Sequence, residues 1–154
     1  MKKELEEKLV KEFPNLFRDW RGDPQRTCMA WGVAFGDGWF DIFYDLCKKL
    51  NGLEPHMHFD QCKEKFGTAR VYFSQDVSCS CGTQSGPIFD LVDEFEKKSA
   101  TVCEWCGKSG EIREDLPWIR TLCDDCYRNK KKADADIAKE FVRNRGKKHG
   151  KKPR

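Results

Sequence analysis

Cys103, Cys106, Cys123 and Cys126 form two C-x-x-C pairs separated by sixteen residues. Each pair turns two sulfurs toward a common centre, and the intervening segment is long enough to fold back and bring the second pair into range of the first. The spacing predicts a four-thiolate site for one zinc ion, closed in tetrahedral coordination with no position left for water or substrate. Such a site contributes directly to folding, so loss of one thiolate is expected to unfold at least the module around it.

Nine Cys in the chain is an odd number, and C-x-x-C pairs point to metal-bound or reduced thiols rather than a disulfide framework. The opening MKKELEEKLV carries acids and lacks an apolar run, so it reads as neither a secretory signal nor a transit peptide. No stretch has the length and apolarity of a membrane span, and the expected location is cytoplasmic. With 154 residues the chain can bury one ordinary core, or a smaller core plus a metal-stapled module. Five Trp and eleven Phe supply the material for it.

Charge is unevenly placed. Residues 128–154 hold twelve Lys/Arg against three Asp/Glu, whereas residues 1–127 hold seventeen basic and twenty-three acidic groups. Attraction to nucleic acid or to an acidic protein is therefore expected of the tail, through Lys130, Lys131, Lys132, Arg143, Arg145, Lys147 and Lys148, and is expected to weaken with salt. The only aromatic in that tail beyond Tyr127 is Phe141, which gives base stacking little support there.

Periodicity gives the elements. Leu5, Leu9, Val10 and Phe13 predict a helix over residues 2–13 that stops before Pro14. The apolar stretch 28–35 predicts a buried strand. Gly36-Asp37-Gly38 predicts a tight turn in which Asp37 caps a helix over 39–50, with Phe40, Phe43, Leu46, Cys47 and Leu50 on one face and Asn51-Gly52 as its stop. Residues 56–59 and 69–73 predict strands joined by a turn at Phe66-Gly67. Residues 74–86 read as a loop, 87–99 as a helix opened by Pro87, and the run after Cys126 as a helix to residue 145 resting on Ile137, Phe141 and Val142. The final stretch from residue 146 has no means of forming a core and reads as disordered. The resulting fold class is α+β: a small antiparallel sheet with packed helices over residues 1–100, a zinc-ribbon-like module over 101–127, and a basic helix and tail over 128–154.

Three further constellations carry candidate chemistry. Cys79 and Cys81, with Cys62 and His58 and with Cys47 or His56 nearby, have the residue types of a second metal site, although not a recognised chelating spacing; buried reduced thiols are the plainer account. Trp20, Arg21, Asp37, Trp39 and Arg70, with Asp19 and Asp23, put aromatics beside charges as a planar-ligand pocket does, set against ordinary core anchoring and capping. Lys63, Lys65 and Arg70 form a basic strip in the hairpin, with a solvated strand face as the alternative. Enzyme signatures are missing: His56 begins H-M-H rather than H-x-E, Val102 rather than Pro precedes Cys103, and H-E-x-x-H, the phosphate-binding G-x-x-x-x-G-K-[ST] and G-x-S-x-G do not occur. Asp37 and Asp41, one turn apart, read as capping and solvation rather than as an acid–base pair.

The run from Trp39 to Cys47, the segment Lys63-Glu-Lys-Phe-Gly67 with Arg70 and Tyr72-Phe73, and the C-terminal Cys-Glu-Trp-Cys-Gly and Cys-Asp-Asp-Cys elements together resemble a group of small proteins seen in phages and prophage regions. The resemblance spans residues 13–127 and implies a mobile-element context and a C-terminal zinc module, without an activity. Cys79-Ser-Cys81 and the basic tail lie outside it. The expected function is a noncatalytic zinc-binding protein that engages a host protein or nucleic acid, with small-molecule or nucleotide sequestration, or an unrecognised enzymatic site, as alternatives.

Overall fold

A computed structural model describes residues 1–75 and 85–148, leaving aside the side chains of Ser85 and residues 145–148. The architecture is α+β. Helix α1 (Lys3–Glu12) is followed by a long loop, strand β1 (Val33–Ala34), helix α2 (Phe40–Leu53) and the hairpin β2 (Met57–Lys65) and β3 (Thr68–Gln75). Helix α3 (Ser85–Ser99) then leads to a second small hairpin, β4 (Glu111–Arg113) and β5 (Arg120–Leu122), and to helix α4 (Asp124–Lys148). The three-stranded sheet runs β1-β2-β3, with β2 and β3 antiparallel and β1 adding a two-residue parallel edge.

The core is aromatic. Phe17, Phe35, Phe43, Phe59 and Phe95 come from the first loop, the α2 approach, α2, β2 and α3, and meet in edge and tilted contacts with centroids 5.1–6.2 Å apart. Helix α3 also covers the free edge of β3. The Val71 N–H donates to Glu96 Oε1 at 3.1 Å and the Ala69 N–H to Ser99 Oγ at 2.9 Å, which closes an edge that would otherwise offer unpaired amides.

Several expectations are corrected. The buried strand over 28–35 is mostly a 3-10 turn at Cys28–Trp31, because Thr27 Oγ1 accepts from the Met29 N–H and Gly32, at φ +70, breaks the extended run. Asp37 does not cap α2. It accepts from the Lys2 N–H at 2.7 Å and pairs with Lys2 Nζ at 3.1 Å, so it tethers the start of α1 instead; together these hold its carboxyl below the usual range against the opposing effect of burial, the largest single influence. Helix α2 runs past Asn51-Gly52 to Leu53. Ile137, Phe141 and Val142 are 59–70% exposed, so the apolar stripe expected to rest on the body is not buried. Residues 76–84, most of the predicted loop, and residues 149–154 of the tail lie outside the described residues.

Candidate metal centre

The first knuckle is a tight turn. Gly107, at φ +75, donates its N–H to the Cys103 carbonyl at 2.9 Å, and the Cys103 N–H donates to the Lys108 carbonyl at 2.7 Å, so Cys103 and Cys106 lie on the inside of one bend. The second pair uses a strand-to-helix junction. Cys123 closes β5, α4 starts at Asp124, and Cys126 falls in the first helical turn. The four Sγ atoms lie within 4.8 Å of one another, with Cys106 and Cys123 at 3.6 Å.

This donor set fits a soft metal ion. Thiolates held about 2.3 Å from a tetrahedral zinc stand roughly 3.8 Å from each other, close to the spacing found here and well beyond a disulfide bond. All four cysteines are free thiols. Their ionisation is uneven. The Cys126 N–H donates to Cys123 Sγ and, with the neighbouring thiols, brings the Cys123 pKa to about 7 against the cost of burial. Burial and the three other sulfurs push Cys126 up. The Lys108 amide favours the Cys106 thiolate, yet desolvation and contact with Cys103 and Cys123 carry that thiol upward. Four thiolates in so small a volume repel one another unless a cation sits among them.

The centre is joined to the α+β body through Glu104, between the first two cysteines. Its side chain is buried; Oε1 accepts from the Gly36 N–H at 3.1 Å and Oε2 from Arg120 at 2.7 Å. Its carbonyl accepts from the Gly38 N–H at 2.8 Å. A Cβ at Gly38 would come within 2.2 Å of the Cys103 carbonyl and 2.7 Å of the Cys106 nitrogen, so only glycine permits this approach. Trp39 is fully buried and donates its indole N–H to the Val102 carbonyl at 2.7 Å. At the other end Thr121 Oγ1 donates to the Gly67 carbonyl at 2.6 Å, and Trp118 Nε1 to Glu64 Oε2 at 2.5 Å. The turn at 36–39 and the β2–β3 tip thus grip the module from two sides.

The other predicted constellations have separate fates. Trp20 and Arg21 both donate to Glu6, at 2.7 and 3.3 Å; Asp37 serves Lys2, Trp39 serves Val102, and Arg70 is held by Thr68, the Ala69 carbonyl and Glu96. All five are held by structural partners, Trp20 and Arg21 by the same one. Cys79 and Cys81 lie outside the described residues. Of their predicted companions, His58 and Cys62 stand on opposite faces of β2, because the extra residue Asp60, between the pairs Phe59–Phe73 and Gln61–Tyr72, reverses the side-chain alternation. His58 contacts Arg18, Asp19 and Asp60, while Cys62 and Cys47 are buried thiols whose pKa values burial drives well up. Among the described residues the C-terminal quartet is the one cluster of metal-ligating side chains. In the tail, Lys130 pairs with Asp134 and Lys131 with Asp115 at 2.8 Å, Lys132 and Arg143 are exposed, and the side chains of Arg145, Lys147 and Lys148 are outside the described set.

Three buried carboxylates escaped sequence reading, one of them Glu54, which accepts from the His56 N–H at 3.1 Å. Glu6 accepts from Trp20, Arg21 and the Val33 N–H, and Glu104 does the work just described. A charged residue on a helix or in a knuckle carries no local mark of burial; only the adjacent glycines, Gly32 and Gly36, hint that something approaches closely. No helix among the described residues is long and apolar enough to cross a membrane. No protein-family model, curated protein or solved structure matches the chain.

Proposed function

We propose that this chain is a noncatalytic interaction protein whose fold is stapled by one zinc ion at Cys103, Cys106, Cys123 and Cys126. The observation that carries the reading is the four-thiol cluster itself, with all four sulfurs within 4.8 Å. Four protein thiolates complete a tetrahedral shell and leave no position for an activated water, which favours a structural over a catalytic ion. Zinc is favoured over other divalent ions because it accepts tetrahedral thiolate coordination with no redox chemistry. The ion would join two ends of a segment that also anchors the α2 approach and the hairpin tip, so binding it stabilises surfaces well away from the sulfurs.

The partner in this reading is a host macromolecule, and the setting is a phage or prophage element acting in the host cytoplasm; the sequence resemblance alone supports that setting. Metal analysis with native mass spectrometry tests the core of the reading. One zinc per chain, absent from Cys123→Ser and accompanied by a lowered melting temperature in the variant, is the expected result. A chain that purifies metal-free and melts unchanged after Cys123→Ser would remove the reading.

A further inference from the structure

The hairpin that grips the metal module also presents a surface that the staple does not explain. Beyond the bulge at Asp60, Gln61, Lys63 and Lys65 alternate onto the solvent face of β2, opposite Tyr72, Arg70 and Thr68. Lys63 Nζ lies 5.4 Å from the centre of the Tyr72 ring, and Lys65 Nζ 5.4 Å from that of Phe66. Neither ammonium is paired with a carboxylate among the described residues, in a body that is acidic overall. Arg70 does not join them, because Thr68, the Ala69 carbonyl and Glu96 hold its guanidinium.

The aromatics are as unusual as the charges. Phe66 is 67% exposed, Trp118 60% and Tyr72 45%. Phe66 occupies the first position of a two-residue turn at φ +53, a conformation that costs a bulky side chain energy and that Asn or Gly adopts readily. Burial does not offset this cost, since the ring stands in solvent. Trp118 is oriented by its indole N–H bond to Glu64, and its side chain stays largely exposed. Lys63, Lys65, Phe66, Pro117 and Trp118 line an open cleft of about 530 Å³ together with Glu64, whose carboxylate is engaged by the Gly67 N–H and the Trp118 indole, and Lys63 links that cleft to Tyr72.

We propose that the hairpin tip and the cleft beside it bind single-stranded nucleic acid, with bases stacking on Phe66, Trp118 and Tyr72 and phosphates neutralised by Lys63 and Lys65. Exposed rings beside ammonium groups that no carboxylate pairs are what an unpaired strand requires: each base supplies a π-face, and each linkage a negative charge. A duplex keeps its bases stacked internally and has no use for three exposed rings. The proposal deepens the interaction reading above and rests on it.

The test is fluorescence anisotropy of the zinc-loaded full chain with labelled oligothymidylate and oligouridylate, against a duplex of the same length, over a range of salt. Preferred binding to the single strands is expected. Trp118→Ala and Phe66→Gly should each weaken it at least about five-fold, since a stacked base contributes roughly 1–3 kcal/mol. Phe66→Gly also relieves the backbone strain, so its fold is secure. Replacing both Lys63 and Lys65 with Ala should reduce the salt slope by about 1.4, near 0.7 per phosphate contact on a single strand. Equal affinity for duplex, affinity unaltered by all these variants, or capture of polyglutamate in place of either oligonucleotide would overturn the proposal. A chain that keeps its zinc and binds no oligonucleotide refutes this surface and leaves the stapled interaction protein standing; a metal-free chain refutes the underlying reading.

Discussion

Glu104 accepts from one backbone amide and one guanidinium while almost fully removed from water. Glu104→Ala strands the Gly36 N–H and Arg120 together, and a broken buried pair of this kind costs about 3 kcal/mol. Urea denaturation of the zinc-loaded protein should show that loss, while Glu104→Gln, which keeps the shape, should recover part of it. Glycine gives a sharper contrast. Gly38→Ala forces a methyl group into the first knuckle and is expected to lower stability by about 2–3 kcal/mol and to weaken zinc retention. Gly52→Ala, in a helical position with nothing within 4 Å, is expected to stabilise by about 0.5–1 kcal/mol. Thermal melts of the two variants side by side check the sign as well as the size.

At the level of elements, α4 divides into two parts. Its first turn carries Cys126 and packs Tyr127 against Arg113, whose guanidinium lies 4.4 Å from the ring. Its second half exposes Ile137, Phe141 and Val142. Ending the chain after residue 135 should therefore change stability by no more than about 0.5 kcal/mol in a denaturation curve, the range of ordinary surface changes. Truncation before Tyr127 should unfold the module. The distal apolar residues show where sequence reading reaches its limit: helical spacing predicts a stripe but does not say whether anything packs against it. The α2 pattern was legible because Phe43, Leu46, Cys47 and Leu50 repeat over a full helix, and the Phe66-Gly67 turn because glycine marks it. The bulge at Asp60 was not, since one extra residue leaves no compositional trace yet moves every later side chain to the other face. The four cysteines were legible from spacing alone, whereas their dock at Gly36 and Gly38 read only as a turn.

Across the whole molecule, the metal centre couples parts that are distant in sequence: Gly36–Trp39 to the first knuckle, and the hairpin tip to β5. Zinc binding requires thiolates, so the loaded fold holds fewer protons than the unfolded chain, in which ordinary thiols titrate near 8.5. Its stability is then fully present above that range and falls as pH falls; in the metal-free fold Cys123, near 7, is the last of Cys106, Cys123 and Cys126 to be protonated. Chelator competition from pH 8.5 down to 6 should show zinc retention weakening steadily, and a flat profile would argue against thiolate ligation. The central claim, that one ion staples the body as well as its own knuckles, is most directly tested by amide hydrogen exchange before and after zinc removal. The account predicts lost protection at the knuckles, at Gly38 and Trp39 and at the Phe66-Gly67 turn, with the α2–α3 core still protected. Loss confined to residues 101–127, or no loss anywhere, would contradict it.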